Sequence, residues 1–361
     1  MKIGIIGAGQ LGRMLALAGY PLGLRFVFVD ADEDAPGAQV GRIIPGRFDD
    51  PAALAALAAS VDVVTFDVEN VPQDAAAAVA TKVPFYPPPE ALGAGQDRCD
   101  EKTLFHSLGI PTAPFAPVDS QQALVAAANR IGLPAILKTR RLGYDGRGQR
   151  RIASVADLDG AFDALGGVPA ILEGFVPFER ELSLIGVRGR DGQTAFWPLS
   201  ENVHVDGMLR VSRAPWDDAA LQSRAERHLQ ALLDRFDYVG VLTVEFFLAG
   251  GELLANEMAP RVHNSGHWTI EGAVTSQFEN HVRAILGLPL GSTAPTGHAG
   301  MVNFIGRLPA LAEALEIEGA HFHDYGKTAR PNRKLGHCTV IRPTPEARDA
   351  ALERLQGLAC V

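Results

Sequence analysis

Between Val239 and Met258 two apolar, strand-forming runs flank the tripeptide Ala249-Gly250-Gly251. A Gly-Gly turn between such runs predicts a β-hairpin, so this stretch of the chain must lay two antiparallel strands side by side. Each run carries one carboxylate, Glu245 and Glu257, among residues otherwise fit for a core. An ionised carboxylate in an apolar strand is expensive unless it is paired or bound to a metal. Two on neighbouring strands repel unless a cation lies between them, and Mg2+ favours one or two carboxylates together with phosphate oxygens. Asn256, Arg261, His263, Asn264, Ser265 and His267 crowd the same region. The plainer alternative is a polar edge strand with a solvated loop.

At 361 residues the chain exceeds one compact core and suggests two or three domains. Hydrophobic content of 47% with 21% charged residues is that of a globular protein and excludes wholesale disorder. The net charge of -9 argues against sequence-blind nucleic-acid binding, which needs a basic surface. Basic residues cluster locally, at Arg140, Arg141, Arg147, Arg150 and Arg151 and again at Lys327, Arg330, Arg333 and Lys334, which suits a small anionic ligand. Cys99, Cys338 and Cys360 form no close pair, so neither a disulfide framework nor a zinc knuckle is indicated and a reducing compartment is expected. The N-terminus enters an apolar strand without a cleavable leader, and no apolar run is long enough for a bilayer. A cytoplasmic enzyme without a membrane or nucleic-acid partner is the expectation.

Along the chain, a strand at 2–7, a glycine turn at 7–12, a helix from Leu11 and a strand at 25–30 precede alanine-rich helices at 51–60 and 73–80, with a strand at 61–66 between them. This βα alternation ends near Pro87-Pro88-Pro89, where neither helix nor central strand continues. Helices follow near 98–108 and 120–131, then a strand at 135–138, a glycine- and arginine-rich loop at 139–151, a helix from Ala156 and a strand at 170–173. Strands at 179–188 and 194–199, a helix at 217–236 and the hairpin come next, and a smaller C-terminal lobe begins after Pro289.

Two glycine tracts bear on ligands. Gly7-Ala8-Gly9-Gln10-Leu11-Gly12, with Asp30 closing the next strand, fits a dinucleotide-binding turn. The same physics would hold any phosphorylated metabolite at a helix N-terminus, or serve as a tight turn alone. Lys138 stands before Gly143-Tyr144-Asp145-Gly146-Arg147-Gly148-Gln149, a flap whose N–H groups would close over phosphates while the lysine supplies a point charge. The rival reading is a solvated hairpin with basic decoration; no Walker motif is present.

The run Glu173-Gly174-Phe175-Val176 ends a strand where backbone groups commonly meet the edge of a base, or simply form a loop. If the 179–188 strand alternates, Leu182 and Leu184 face the core and Glu181 points away, to solvent or a sugar hydroxyl. His204 reads equally as a surface residue or a ligand contact. Arg261 with His263 suits a small oxyanion and the movement of a proton better than zinc.

Taken together, Gly-Ala-Gly-Gln-Leu-Gly-Arg-Met at 7–14, Gln-Asp-Arg at 96–98, the 143–149 flap, Asn-Glu-Met-Ala-Pro-Arg-Val-His-Asn-Ser-Gly-His-Trp-Thr at 256–269 and Arg333-Lys334-Leu335-Gly336-His337 resemble the 5-(carboxyamino)imidazole ribonucleotide synthases, over essentially the whole chain. These are ATP-grasp ligases of purine biosynthesis. The formate-dependent glycinamide ribonucleotide enzymes carry Asp-Thr-Gly-Met where this chain has Asn264-Ser265-Gly266-His267.

The resemblance implies an α/β chain. A Rossmann-like domain would span 1–90, an ATP-grasp domain 91–289 with its lid at about 110–176, and a C-terminal lobe 290–361. It implies ATP contacts at Arg98, Lys138, the 143–149 flap, Glu173, Gly174, Phe175, Val176, Glu181, His204, Asn256 and Glu257, with Mg2+ on Glu245 and Glu257. Arg261, His263, Asn264 and Ser265, with Tyr144 and Asp145 from the flap, would line the bicarbonate and aminoimidazole ribonucleotide side. His263 is the candidate for moving the proton. Lys327 and Arg333 would take the ribotide phosphate and Glu69 the ribose, and the enzyme would be a homodimer. One departure stands out: Asp67 occupies a position where Glu is expected. A nicotinamide dehydrogenase and a non-catalytic nucleotide-binding protein remain as rivals.

Overall fold

The computed structural model describes residues 1–143 and 148–360, so the expectations for Tyr144, Asp145, Gly146 and Arg147 fall outside the described residues. The first sheet contains β1 (Lys2–Ile6), β2 (Arg25–Asp30), β3 (Arg42–Pro45) and β4 (Val63–Phe66), parallel and ordered β3-β2-β1-β4. Helices Gln10–Gly19, Pro51–Ser60 and Gln73–Ala80 connect and cover it. Asp50 sets the start of the second of these, accepting the N–H groups of Ala52 and Ala53 ahead of Pro51 at the first helical position.

A second sheet holds β5 (Phe115–Val118), β6 (Ala135–Thr139), β7 (Gln149–Ile152) and β8 (Ala170–Gly174), antiparallel in the order β5-β8-β6-β7. The helix expected from Ala156 is two short turns, Val155–Leu158 and Ala161–Ala164. Gly160, at a φ of 64°, separates them, and Gly166 and Gly167 at positive φ end the second.

The third sheet is larger. It comprises β9 (Arg180–Arg188), β10 (Thr194–Phe196), β11 (Ser200–Val205), β12 (Met208–Ala214), β13 (Gly240–Ala249), β14 (Glu252–Ala259), β15 (His298–Ile305), β16 (Ala320–Asp324) and β17 (Lys334–Arg342). Its order is β14-β13-β9-β11-β12-β15-β17-β16, with β10 beside β9. The expected strand at 194–199 therefore stops at Phe196. The stretch after Pro289 adds its strands to this sheet through β12 and β15.

Alternation gives the third sheet two chemically different faces. Leu182, Leu184, Val244 and Phe246 are buried against Leu221, Leu229, Leu232 and Leu233 of the helix Ala219–Arg235, whose apolar residues recur at helical spacing. The opposite face carries the polar residues of the same strands.

Candidate active site

Cross-strand register builds the site. Glu257 of β14 pairs with Glu245 of β13, and Glu245 pairs with Ser183 of β9, which in turn pairs with Ser200 of β11. Residues directly opposite share a face, so these four form one row across four strands, with Glu181 and Asn202 one step along on the same face. The β13–β14 register shifts just after Glu245, leaving Asn256 as the unpaired residue of a bulge beside the acidic pair.

The two carboxylates are not electrostatically alike. Burial, and then the charge of Glu257, push the Glu245 carboxyl up to about 7. Burial acts on Glu257 in the same direction, but Arg98, Lys138 and Lys102 outweigh it and hold that carboxyl below its ordinary value. Arg98 Nη1 donates to Glu257 Oε2 at 3.2 Å and its Nη2 to the carbonyl of Gly143 at 3.2 Å, so one guanidinium joins the acidic pair to the root of the flap. Among the described residues no group of three or more His, Cys, Asp or Glu side chains could hold a metal. A pair of facing carboxylates, one of them driven to the edge of neutrality, fits Mg2+ that completes its shell with phosphate oxygens.

Lys138, expected on phosphates, donates to Glu173 Oε2 at 3.0 Å. Lys102, buried on the helix Arg98–Ser107, approaches the same oxygen at 3.6 Å and donates to the carbonyl of Asn256 at 2.8 Å. Burial raises the Glu173 carboxyl, yet the two lysines outweigh it and bring it down to about 2. Its side chain thus anchors two cations, whereas the expectation for residues 173–176 concerned their backbone groups. The N–H groups of Gly174 and Phe175 are likewise committed within the protein, to the carbonyls of Pro114 and Pro134 at 2.8 and 3.1 Å. Glu181 and His204 form a close ion pair, and although burial opposes it, Glu181 and Glu245 raise the imidazole above its ordinary value.

On the far side of Glu245, His263 Nε2 lies 3.5 Å from Glu245 Oε1, and His263 Nδ1 lies 2.8 Å from the Ser265 hydroxyl. Burial, then Arg261, holds this imidazole well below its ordinary pKa. Arg261 forms an ion pair with Glu69. Among the described residues neither buried amide atom of Asn264 has a partner, as in a side chain awaiting a ligand.

Of the third group of expected residues, Lys327 reaches the N-terminal glycine turn. Lys327 bonds Gln10, while Arg333 donates to the carbonyl of Thr328 at 3.1 Å. The turn spends donors on protein carboxylates: Ala8 N–H on Asp30 at 2.8 Å and Gly12 N–H on Asp67 at 3.1 Å. A Cβ on Gly7, whose φ is 95°, would stand 1.8 Å from Asp67 Oδ1. Here the glycines admit a carboxylate, and the donors that a dinucleotide pyrophosphate would need at Ala8 and Gly12 are already occupied.

Sequence reasoning assigned no role to Lys102 or Asp97. Lys102 shares a helix face with buried Cys99 and Phe105, so a cation within an apolar stripe was the available signal. Asp97 caps that helix at the N–H of Cys99 and also holds Arg140 at 2.9 Å and Arg141 at 3.1 Å.

A cleft between an antiparallel lid sheet and an acidic sheet face, with lysines, an arginine and a carboxylate pair converging on it, defines an ATP-grasp ligase. Residues 103–278 match the ATP-grasp domain, residues 1–96 the ribonucleotide synthetase preATP-grasp domain and residues 299–351 the phosphoribosylaminoimidazole carboxylase C-terminal domain. The chain belongs to the N5-carboxyaminoimidazole ribonucleotide synthase family. The synthase of Pseudomonas aeruginosa is 54% identical over 358 residues, covering 98% of this chain and 99% of its own. The crystal structure of the synthetase from Thermus thermophilus superposes with a TM-score of 0.96 at 55% identity, covering 99% of each chain. The Aspergillus clavatus synthase, solved in complex with ADP and 5-aminoimidazole ribonucleotide, gives 0.93 at 33% identity over 99% of this chain and 98% of its own.

Proposed function

We propose that this chain uses ATP to carboxylate the amine of 5-aminoimidazole ribonucleotide with bicarbonate, releasing ADP and phosphate. Bicarbonate is a poor electrophile, so it must be activated first. A bicarbonate oxygen attacks the γ-phosphorus of ATP, the bond from that phosphorus to the β-phosphate oxygen breaks, and carboxyphosphate forms as ADP leaves. Carboxyphosphate then parts into phosphate and CO2, the amine nitrogen attacks the carbon, and the amine loses a proton.

The facing pair Glu245 and Glu257 is the observation that carries this reading. These residues would hold Mg2+, which supplies neutralisation of phosphate charge. Lys138, with Arg98 and the 143–149 flap, attracts the triphosphate, and Glu173 with Lys102 sets the position of Lys138. Glu181 and His204, paired with each other on the same sheet face, are assigned to the nucleotide together with Asn256. Arg261 and His263, with Asn264 and Ser265, receive the bicarbonate and the imidazole, and Tyr144 and Asp145 are assigned to the same side from the flap. Glu69 binds the ribose, and Lys327 and Arg333 take its phosphate, beside the N-terminal turn. Domain limits at about 90 and 289 belong to the same reading; the first family match runs on to residue 96, and 289 falls between the second match, which ends at 278, and the third, which begins at 299.

A homodimer working in the cytoplasm completes the proposal; no helix among the described residues is long and apolar enough to cross a membrane. The deciding assay is ADP release. Dependence on both bicarbonate and aminoimidazole ribonucleotide is expected, whereas stimulation by glycinamide ribonucleotide with formate would reassign the substrate, and ATP binding without turnover would remove the activity.

A further inference from the structure

Behind His263 lies a buried chain of hydrogen bonds for which the reaction so far has no use. Ser212 Oγ donates to Asn202 Oδ1 at 2.7 Å, Asn202 Nδ2 donates to Ser183 Oγ at 2.9 Å, and Ser183 Oγ donates to Ser265 Oγ at 2.8 Å. Ser265 Oγ stands 2.8 Å from His263 Nδ1. Ser183, Ser212 and Ser265 are fully buried and Asn202 nearly so, so water does not compete for these groups. The chain arises from strand register: Ser183 is opposite Ser200, Asn202 is opposite Ser212, and all four share the polar face of the sheet.

Its direction is determined at the histidine end. The backbone N–H of Ser265 also points at His263 Nδ1, at 3.3 Å. A backbone N–H can only donate, so Nδ1 must present its lone pair. The Ser265 hydroxyl, which accepts the proton of Ser183, then directs its own to the same nitrogen. A neutral imidazole with a lone pair at Nδ1 carries its hydrogen at Nε2, the nitrogen 3.5 Å from Glu245.

We propose that Ser183, Asn202 and Ser212 are positioning residues that lock His263 into the Nε2–H tautomer, so that it meets the substrate as a hydrogen-bond donor to an oxyanion. With no lone pair facing the cleft, His263 Nε2 does not take the proton of the attacking amine. It holds the carboxylate of bicarbonate or carboxyphosphate instead, and this identification of the anion rests on the function proposed above. The tautomer itself does not.

The test uses the full-length protein labelled with 15N in the histidine rings, the His263 signals being assigned by their loss in His263→Asn. In the ligand-free enzyme Nδ1 is expected at the position of an unprotonated ring nitrogen and Nε2 at that of a protonated one. Ser183→Ala is expected to mix the two tautomers and to lower kcat about tenfold with KM for ATP changed less than about twofold, and Ser183→Thr to restore both. A wild-type proton on Nδ1 overturns the proposal, as does a loss of kcat in Ser183→Ala with the tautomer unchanged. If Ser183→Ala does not fold, Ser212→Ala at the other end of the chain takes its place with the same expected outcome, and an unaltered tautomer there is equally fatal. Absence of ligase activity with a locked Nε2–H tautomer would count against the function and leave the positioning device standing.

Discussion

Glu245 and Glu257 face each other across the antiparallel pair β13–β14, on the polar side of the sheet. Without a cation between them their charges oppose one another, and burial aggravates this. Glu257→Gln is therefore expected to lower kcat about 10²- to 10³-fold, the scale of losing one electrostatic stabiliser of a transition state. Thermal melts supply the complementary check. Glu245→Gln should melt at or above the wild-type temperature without ligands and lose most of the upward shift that Mg2+ with ATP gives the wild type. Wild-type turnover by both variants at saturating Mg2+ would refute the metal assignment.

Glu173 is shared by Lys138 and Lys102, the latter almost wholly buried. Glu173→Gln leaves a buried ammonium without its counter-charge and should destabilise the fold by about 3 kcal/mol, the lower end for breaking a buried pair. The folded carboxyl sits at about 2 against an ordinary value of 4.5. A depressed carboxylate stabilises above its unfolded pKa, so the difference between wild type and variant should be full at pH 7 and shrink as pH falls from 4.5 toward 2. Urea denaturation at pH 7 and pH 3 measures it.

Asp67 behaves in the opposite way. Burial lifts its carboxyl from 3.8 to about 6, with the Gly12 N–H pulling against the shift. A raised carboxyl favours the folded state below the unfolded pKa and withdraws that contribution as pH climbs through the folded one. Asp67→Asn should therefore match wild type near pH 4 and exceed it by up to about 3 kcal/mol above pH 7, the free-energy equivalent of that displacement. Equal melting curves at pH 8 would contradict this.

Asp97 caps the helix that carries Arg98 and Lys102 while gripping Arg140 and Arg141 at the start of the flap. Asp97→Ala removes a cap and two charge-assisted bonds at once, for an expected loss of about 2 kcal/mol. Because the flap loses its tether, KM for ATP should rise more than kcat falls. An unchanged KM would show that the tether plays no part in nucleotide binding.

Legibility from sequence differed between elements for physical reasons. The helices at 51–60 and 73–80 and the strand at 25–30 lie where their composition put them, because alanine-rich and β-branched runs declare themselves over a few residues. β3 and β5 went unread: each contains a proline, at Pro45 and Pro117, and each is an edge strand, the place where a sheet tolerates that residue. The acidic pair was visible because carboxylates interrupt apolar strands. Lys102 was not, since a single cation in a helix ordinarily reads as a solvated one.

Residue order by itself determined the hairpin through its Gly-Gly turn, although only the bulge at Asn256, which shifts that register by one, sets Glu257 rather than Asn256 opposite Glu245. It also determined the family, through motifs spread over the whole chain. Only the tertiary structure decided which charges meet. Lys327 reaches Gln10 from 317 residues away, Arg261 finds Glu69, and Ser183 and Asn202 align behind His263. Such contacts depend on how strands distant in sequence are ordered and registered within a sheet, and no local pattern encodes that geometry.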